Sequence, residues 1–318
     1  MTGMILLIYR KHFAFWLTWG VLFALGCGDG SPKQPTPSPS AASPSSPGAV
    51  GSESQSKQVL MELKALDGDV GTAVAAEDWS RTRQLLQQGL EIIAANPGKY
   101  EIHEARFLLA RAKMARERSR ETEARRYFAD AMAIFHVHKN ATGRFETHLG
   151  LGKLEARRGD YAAAEREYGA ARELLGEVND KLLHGIFKLE TGRLASKRVE
   201  RQKAKTDFLE AIAIFESERD QKHLAETLMY LANEEDALGN TDQCRRRLGR
   251  ALALFRELSN IEGEARALHR LARVAEREKK YNHAKKLLKK VYVLYDKLDR
   301  KADKLRVERH INALPEQD

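Results

Sequence analysis

Few residues in this sequence have the types and spacing that a catalytic or metal site requires. His136 and His138 are two positions apart, whereas helical residues on one face are three or four apart, so their imidazoles do not converge. The segment from Gly150 to Lys153 has the glycines and lysine of a phosphate loop, but it lacks the full spacing and lies inside a predicted helix. The motifs HExxH and CxxC do not occur. We therefore predict no enzymatic activity, no cofactor and no metal site.

A column of basic residues is the stronger chemical signal. At intervals of 40 residues the chain reads Lys113, Lys153, Arg193, Asn233 and Arg273. Four residues later in each interval, where a helix returns to the same face, it reads Glu117, Arg157, Lys197, Ala237 and Arg277. The second and third intervals would thus present a contiguous basic patch, suited to charge-assisted hydrogen bonds with carboxylates. Alternatively, these cations only complement helix dipoles, which contributes about 0.3–1 kcal/mol each.

Small residues repeat with the same period. In five successive units, three small positions lie 12 and then 7 residues apart. They are Ala112/Ala124/Ala131, Gly152/Ala164/Ala171, Gly192/Ala204/Ala211, Ala232/Cys244/Ala251 and Ala272/Ala284/Val291. A bulky residue follows the middle position four residues later, as Phe128, Tyr168, Phe208, Leu248 and Leu288. Self-similarity at a fixed period of roughly 20–50 residues is typical of a solenoid.

This pattern resembles the tetratricopeptide (TPR) repeat, in which small residues let two antiparallel helices approach closely. The usual TPR period is about 34 residues, and the longer period here is similar to that of kinesin-light-chain-type TPRs. The resemblance implies an all-α TPR solenoid of helical hairpins in a right-handed superhelix, preceded by a disordered linker. We expect hairpins at 101–140, 141–180, 181–220, 221–260 and 261–300, a degenerate one at 58–98 and a closing helix at 301–314.

The resemblance also implies a binding surface. In TPR proteins the first helix of each hairpin lines a concave groove, and basic side chains there can grip a carboxylate of an extended or helical partner. One turn before the basic column, the chain reads Leu109, Leu149, Leu189, Met229 and His269. We predict that Leu149, Leu189 and Met229 add apolar contacts to this groove. Alternatively, that strip belongs to the core within each repeat.

The N-terminus has the features of an export signal. Arg10 and Lys11 precede an apolar run, Phe13–Leu25, that is shorter than the roughly 20 residues needed to span a bilayer. The run ends at Cys27 in a sequence that resembles a bacterial lipobox, although Ala24 and Leu25 depart from the usual order. The resemblance implies cleavage after residue 26 and lipid attachment at Cys27. An ordinary signal peptide or an uncleaved anchor is the alternative.

Residues 31–57 contain six of the eight prolines and many serines. Such a composition cannot bury enough apolar surface to offset the entropy of ordering, so we predict a disordered linker over residues 27–57. A linker directly after a lipid-attachment site would hold a folded domain away from a membrane. Cys244 occupies a small-residue column, so we expect it to be buried and unbridged.

These features predict a scaffold or adaptor in a bacterial cell envelope, exported and lipid-anchored, or else a soluble periplasmic or secreted protein. The net charge of +9 favours an acidic or C-terminal segment of a protein partner, or a subunit of an envelope complex. An exported chain rarely meets nucleic acid, so we expect none to bind. The alternatives are a structural or self-associating envelope module and a ligand-binding sensor.

Overall fold

A computed structural model of the chain describes residues 48–316, with side chains from residue 53 onward. This part of the chain contains thirteen α-helices, one short 3-10 helix and no strand. The helices are α1 (Gly48–Ala75), α2 (Trp79–Ala94), α3 (Glu101–Glu117), α4 (Glu121–Val137), α5 (Ala141–Arg158), α6 (Tyr161–Leu174), α7 (Lys181–Lys197), α8 (Arg201–Ser217), α9 (Gln221–Ala237), α10 (Thr241–Glu257), α11 (Ile261–Arg277), α12 (Tyr281–Lys297) and α13 (Lys301–Ala313). The 3-10 helix, Leu175–Glu177, follows α6.

The helices pair as hairpins, and each hairpin packs on the next. From α3 to α12, each first helix makes its most extensive contacts with the second helix of the same hairpin, and each second helix packs on the following hairpin. This arrangement confirms the predicted all-α solenoid. Among the described residues, no helix is both long and apolar enough to cross a bilayer.

The repeating small residues form the contact between paired helices. All three small positions are buried in every one of the five units. The bulky column fills the space beside them, since Phe128 and Phe208 are fully buried and Tyr168 is 2% exposed. The core continues between hairpins, where the Phe187 ring lies 6.0 Å from the Phe145 ring and 6.5 Å from the Tyr168 ring, centroid to centroid.

Short turns at equivalent positions join the two helices of each hairpin. One residue in each turn has a positive φ, at Ser119, Gly159, Val199, Gly239 and Lys279. The predicted turns at Gly159 and Gly239 therefore have the left-handed backbone that glycine favours. The other hairpins adopt the same turn without glycine, because the packing of the flanking helices fixes its geometry.

The predicted boundary between linker and folded domain requires correction. We expected disorder up to residue 57, but α1 begins at Gly48. Pro47 is the last proline before Pro97, so every residue from 48 to 57 has a backbone N–H for helical hydrogen bonding. An ion pair of 3.0 Å between Glu53 and Lys57, one turn apart, supports the helix there. The remainder of the predicted linker and all of the predicted signal lie outside the described residues.

Candidate binding surface on the inner face

The first helices of the hairpins form the inner side of a curved array. Neighbouring first helices contact one another from α3 through α5 and α7 to α9. The curvature brings two first helices far apart in sequence together, because Lys222 Nζ at the start of α9 donates to the Ala75 carbonyl at the end of α1 over 2.8 Å. We call the surface formed by positions 106, 110, 113 and 117 and their equivalents at 40-residue intervals the inner face.

A buried carboxylate holds two of the predicted groove cations. Glu190 in α7 is 4% exposed, and its Oε1 lies 2.9 Å from Lys153 Nζ in α5. Arg193 Nη1 donates to both oxygens of Glu190, at 3.0 and 3.1 Å. Burial alone would raise the pKa of Glu190, but Lys153 and Arg193 outweigh it and lower that pKa to about 2. This ion cluster joins α5 to α7 and occupies both cations.

Tyr168 packs beside the ion cluster from the second helix of the preceding hairpin. Its hydroxyl is buried and has no hydrogen-bond partner among the described residues. Burial raises the pKa of Tyr168, and the nearby Glu190 carboxylate adds to the effect. The phenol therefore stays neutral and serves the core through its ring.

Three more of the predicted cations bridge neighbouring first helices. Arg157 Nη1 in α5 donates to the Arg116 carbonyl at 2.7 Å and also lies 3.4 Å from a Glu117 oxygen. Lys113 pairs with Glu146 at 2.6 Å, and Arg277 pairs with Asp236. The basic patch predicted for the second and third units is therefore largely compensated by carboxylates and carbonyls of the same face. Lys197 is exposed and has no partner within residues 48–316, and Asn233 is half-buried.

The predicted apolar contacts belong to the core. Leu149, Leu189 and Met229 are 5%, 2% and 2% exposed and pack inside the hydrophobic clusters between hairpins. The expectation that they would contact a partner is therefore wrong, and the alternative that they are core residues is correct. These side chains face the paired second helices and the neighbouring hairpins, not the inner face.

The last hairpin carries a basic group that the column analysis missed. Arg266, Arg270 and Arg273 follow one another on the inner face of α11, at spacings of four and three residues. None has a carboxylate partner in the part of the chain that the structure describes. Burial lowers the pKa of Arg270, and the charges of Arg266 and Arg273 lower it further. We call these three residues the α11 arginine group. Of its members, only Arg273 was among the predicted groove residues.

An aromatic side chain connects this group to α7. The Tyr230 hydroxyl in α9 is close enough to Arg270 to influence its pKa. The Tyr230 ring stacks on Phe208 at 5.7 Å and lies under the Arg193 guanidinium at 5.1 Å. A strip of guanidinium, phenol and guanidinium thus crosses three first helices. The α11 guanidinium groups at the end of this strip can accept an anionic segment through charge-assisted hydrogen bonds.

The distribution of charge along the sequence would have indicated that the C-terminal part of the chain carries the excess of basic residues. Residues 241–318 contain 21 Lys and Arg against 12 Asp and Glu, whereas residues 1–240 contain 33 of each. The whole net charge of +9 therefore arises after residue 240. Within the described chain, no group of three His, Cys, Asp or Glu side chains is arranged to hold a metal ion.

The fold and inner face define the class of structure as a TPR-like helical solenoid. No protein-family model and no curated protein sequence matches the chain. Solved structures with a similar fold include two Rap proteins and the repeats of a putative kinesin light chain. The apo form of RapI has 13% identity and a TM-score of 0.62 over 74% of this chain and 66% of its own. A Rap protein complexed with Competence and Sporulation Factor has 12% identity and a TM-score of 0.61 over 80% of this chain and 70% of its own.

The third similar structure is formed by the TPR-like repeats of a putative kinesin light chain from Podospora anserina. It has 16% identity and a TM-score of 0.51, and the match covers 64% of this chain and 99% of that one. The chain spans about two thirds of the length of RapI. At these identities the likeness establishes the fold alone.

Proposed function

We propose that this chain is a non-enzymatic protein-interaction scaffold that binds an acidic segment of a partner protein on its inner face. The observation that carries the proposal is the α11 arginine group, whose three guanidinium groups have no carboxylate partner among residues 48–316. Guanidinium groups pair bidentately with carboxylates, so an extended or helical segment rich in Asp and Glu fits this surface. The complex of a similarly folded Rap protein with Competence and Sporulation Factor is consistent with a binding role for such a solenoid.

The binding surface proposed here differs from the one expected from the basic column. Five of the predicted cations already pair with groups of neighbouring first helices or of their own helix, so they hold the helices in place and are not free to bind a ligand. They are Lys113, Lys153, Arg157, Arg193 and Arg277. Lys197 and the α11 arginine group remain available. The acidic segment would therefore lie across α7, α9 and α11, between Lys197 and the α11 arginine group.

Charge reversal on α11 tests the proposal. We expect the double variant Arg266→Glu/Arg273→Glu to weaken binding of a fluorescein-labelled deca-glutamate peptide by at least about tenfold, because each charge-assisted hydrogen bond contributes about 1.5–3 kcal/mol. Fluorescence anisotropy at low and at high salt measures the affinity. The salt dependence should also decrease in the variant, since fewer charges meet the peptide.

A matched control reverses two exposed cations on another part of the chain. Arg81 and Arg83 lie on α2, are exposed and do not belong to the inner face. We expect Arg81→Glu/Arg83→Glu to bind the peptide within about twofold of the wild type, apart from the uniform effect of net charge. Equal affinity of the wild type and the α11 variant would contradict an acidic-segment site on the inner face.

We also propose that the scaffold is tethered to a membrane of the bacterial envelope through Cys27. The proposal is supported by the apolar run before Cys27 and by the proline- and serine-rich segment after it, both outside the described residues. A chain of this composition, if extended, reaches roughly 3 Å per residue. The tether would place the solenoid close to a bilayer and leave its inner face accessible to a partner.

Substitution of Cys27 tests the tether. In a bacterial host, the wild-type chain should yield a product whose intact mass corresponds to a start at Cys27 plus lipid, and that product should enter the detergent phase. Cys27→Ala should abolish the lipidated species, because the resemblance to a lipobox implies that the lipid is attached to the Cys27 sulfur. A wild-type product that is water-soluble and cleaved at another position would contradict the tether while leaving the inner-face site intact.

A further inference from the structure

The second helix of the last hairpin carries a basic surface unrelated to the inner face. Between residues 279 and 295 the chain contains six lysines and no Asp or Glu. Lys286, Lys289 and Lys290 in α12 are exposed, and Lys285 is half-buried beside them. None of these four has an ion-pair partner anywhere in the described chain. We call Lys286, Lys289 and Lys290 the α12 lysine face.

The preceding hairpin shows how such cations are usually neutralised here. In α10, Arg250 occupies the position that Lys290 has in α12, and it pairs with Glu216 at 2.5 Å. Arg245 pairs with Asp242 at 3.1 Å and also with Glu278. The two hairpins therefore differ at the positions of Lys285 and Lys290, where only α12 leaves the cation without a carboxylate. Arg246 of α10, at the position of Lys286, has no carboxylate partner among the described residues either.

The α12 lysine face points outward from the solenoid. The opposite side of α12 is buried through Ala284, Leu288 and Val291, which pack on α11 and α13. Val293 continues the exposed side one turn beyond Lys289 and Lys290, and it is 52% exposed. The outer surface of α12 thus presents three ammonium groups and one exposed apolar side chain on the convex side of the solenoid.

We infer that the α12 lysine face is a contact surface for the anionic headgroups of a lipid bilayer. Lysine ammonium groups are point charges that attract a diffuse anionic surface without fixed geometry, and each adds appreciably to binding near charged headgroups. A helix on the convex side of the solenoid can contact a flat bilayer surface without obstruction by its neighbours, and Val293 can enter the headgroup region. A single-stranded nucleic acid is disfavoured because Lys304 Nζ lies over the Tyr292 ring, 4.7 Å from its centroid, so that face of the ring is not open for base stacking.

This surface is separate from the proposed partner site and does not depend on it. The inner face belongs to first helices, whereas α12 is a second helix. A solenoid docked through α12 would direct its inner face away from the bilayer. The α12 lysine face would then orient the scaffold, and the tether at Cys27 would only keep it near the membrane.

Vesicle flotation without the lipid-attachment site tests the inference. Residues from Val50 onward form a compact unit of their own, so a chain that begins at Asp29 retains that unit while lacking the apolar leader and Cys27. We expect this chain to float with vesicles of phosphatidylcholine and phosphatidylglycerol, to stay behind with phosphatidylcholine alone, and to be released by salt. The triple variant Lys286→Gln/Lys289→Gln/Lys290→Gln should bind the anionic vesicles about a hundredfold less tightly.

A charge-matched control separates this surface from the net charge. The variant Arg81→Gln/Arg83→Gln/Arg118→Gln loses the same number of cations from exposed positions on α2 and at the end of α3, and it should bind within about threefold of the unmodified chain. Circular dichroism verifies that all variants keep their helices. Equal vesicle binding by both triple variants would overturn the inference, as would tighter binding to duplex DNA than to vesicles at equal phosphate. Loss of deca-glutamate binding in the α12 variant would also overturn it, because the two surfaces would then be one.

Discussion

Replacement of Glu190 by alanine is expected to lower the free energy of unfolding by about 3 kcal/mol. The carboxylate is buried and accepts from Arg193 while pairing with Lys153, so its removal leaves two cations facing each other between α5 and α7. Both cations retain some contact with solvent, which keeps the loss at the lower end of the range for broken buried ion pairs. Urea denaturation followed by circular dichroism at neutral pH measures the change.

Glu165 provides the matched control for this experiment. It also pairs with an arginine, Arg198, but its side chain is 54% exposed. Exposed pairs contribute about 0–1 kcal/mol, so Glu165→Ala should change the stability by no more than that. If Glu190→Ala were no more destabilising than Glu165→Ala, the cluster would not stabilise the contact between α5 and α7.

An apolar replacement of the whole cluster distinguishes broken pairing from lost volume. Glu190→Leu combined with Lys153→Met and Arg193→Leu removes all three charges and keeps much of the side-chain bulk. Buried ion pairs replaced as a set by apolar residues are often neutral or stabilising, so this variant should recover most of the lost stability. Failure to recover would indicate that the helices need the specific hydrogen bonds of the cluster.

The fold was predictable because its signal repeats in one dimension. Gly152 illustrates the reason: a Cβ there would lie 2.2 Å from Tyr168 Cε1, so with this packing the position admits only glycine. At Gly192 a Cβ would likewise lie 2.7 Å from Phe208 Cε1, whereas Ala112, Ala232 and Ala272 fit a methyl group in full burial. The sequence therefore shows a column of Ala and Gly. A packing constraint that recurs in every unit is visible without any knowledge of three-dimensional contacts.

The proposed binding surface was only partly predictable, because ion pairs form between neighbouring units at variable offsets. Lys153 meets Glu190, which is 37 positions away, whereas Arg277 meets Asp236, which is 41 positions away. A column of residues at a constant interval cannot show such pairings. The prediction from the column therefore counted Lys153 and Arg193 as available cations, although Glu190 pairs with both. It also omitted Arg266 and Arg270, which lie on the same face one to two turns before Arg273.

The extent of the linker was misjudged for a compositional reason. The segment 31–57 was treated as one region, although all of its prolines lie at or before Pro47. The last ten residues contain Ala49, Glu53 and Lys57, which are compatible with a helix, and they extend α1 toward the N-terminus. The average composition of residues 31–57 does not show that a helix begins within that segment.

Acid should destabilise the folded chain through Glu190. Its pKa is about 2 in the folded protein, against an ordinary value of 4.5. A depressed carboxylate pKa contributes stability that is fully present above the unfolded-state value and is lost as the pH falls through the folded-state value. The contribution should therefore disappear between about pH 5 and about pH 2, and it amounts to about 3 kcal/mol at 1.36 kcal/mol per pKa unit.

Comparison with Glu190→Gln isolates this contribution from that of other carboxylates. The amide keeps the shape of the side chain and cannot titrate, so the variant should be less stable than the wild type at neutral pH but should lose less stability on acidification. Urea denaturation at a series of pH values measures the two slopes. The curves should converge as the pH approaches about 2, because protonation makes the wild-type side chain neutral as well. Parallel curves over the whole range would show that Glu190 is not held ionised by Lys153 and Arg193, and the ion cluster between α5 and α7 would then have to be reassigned.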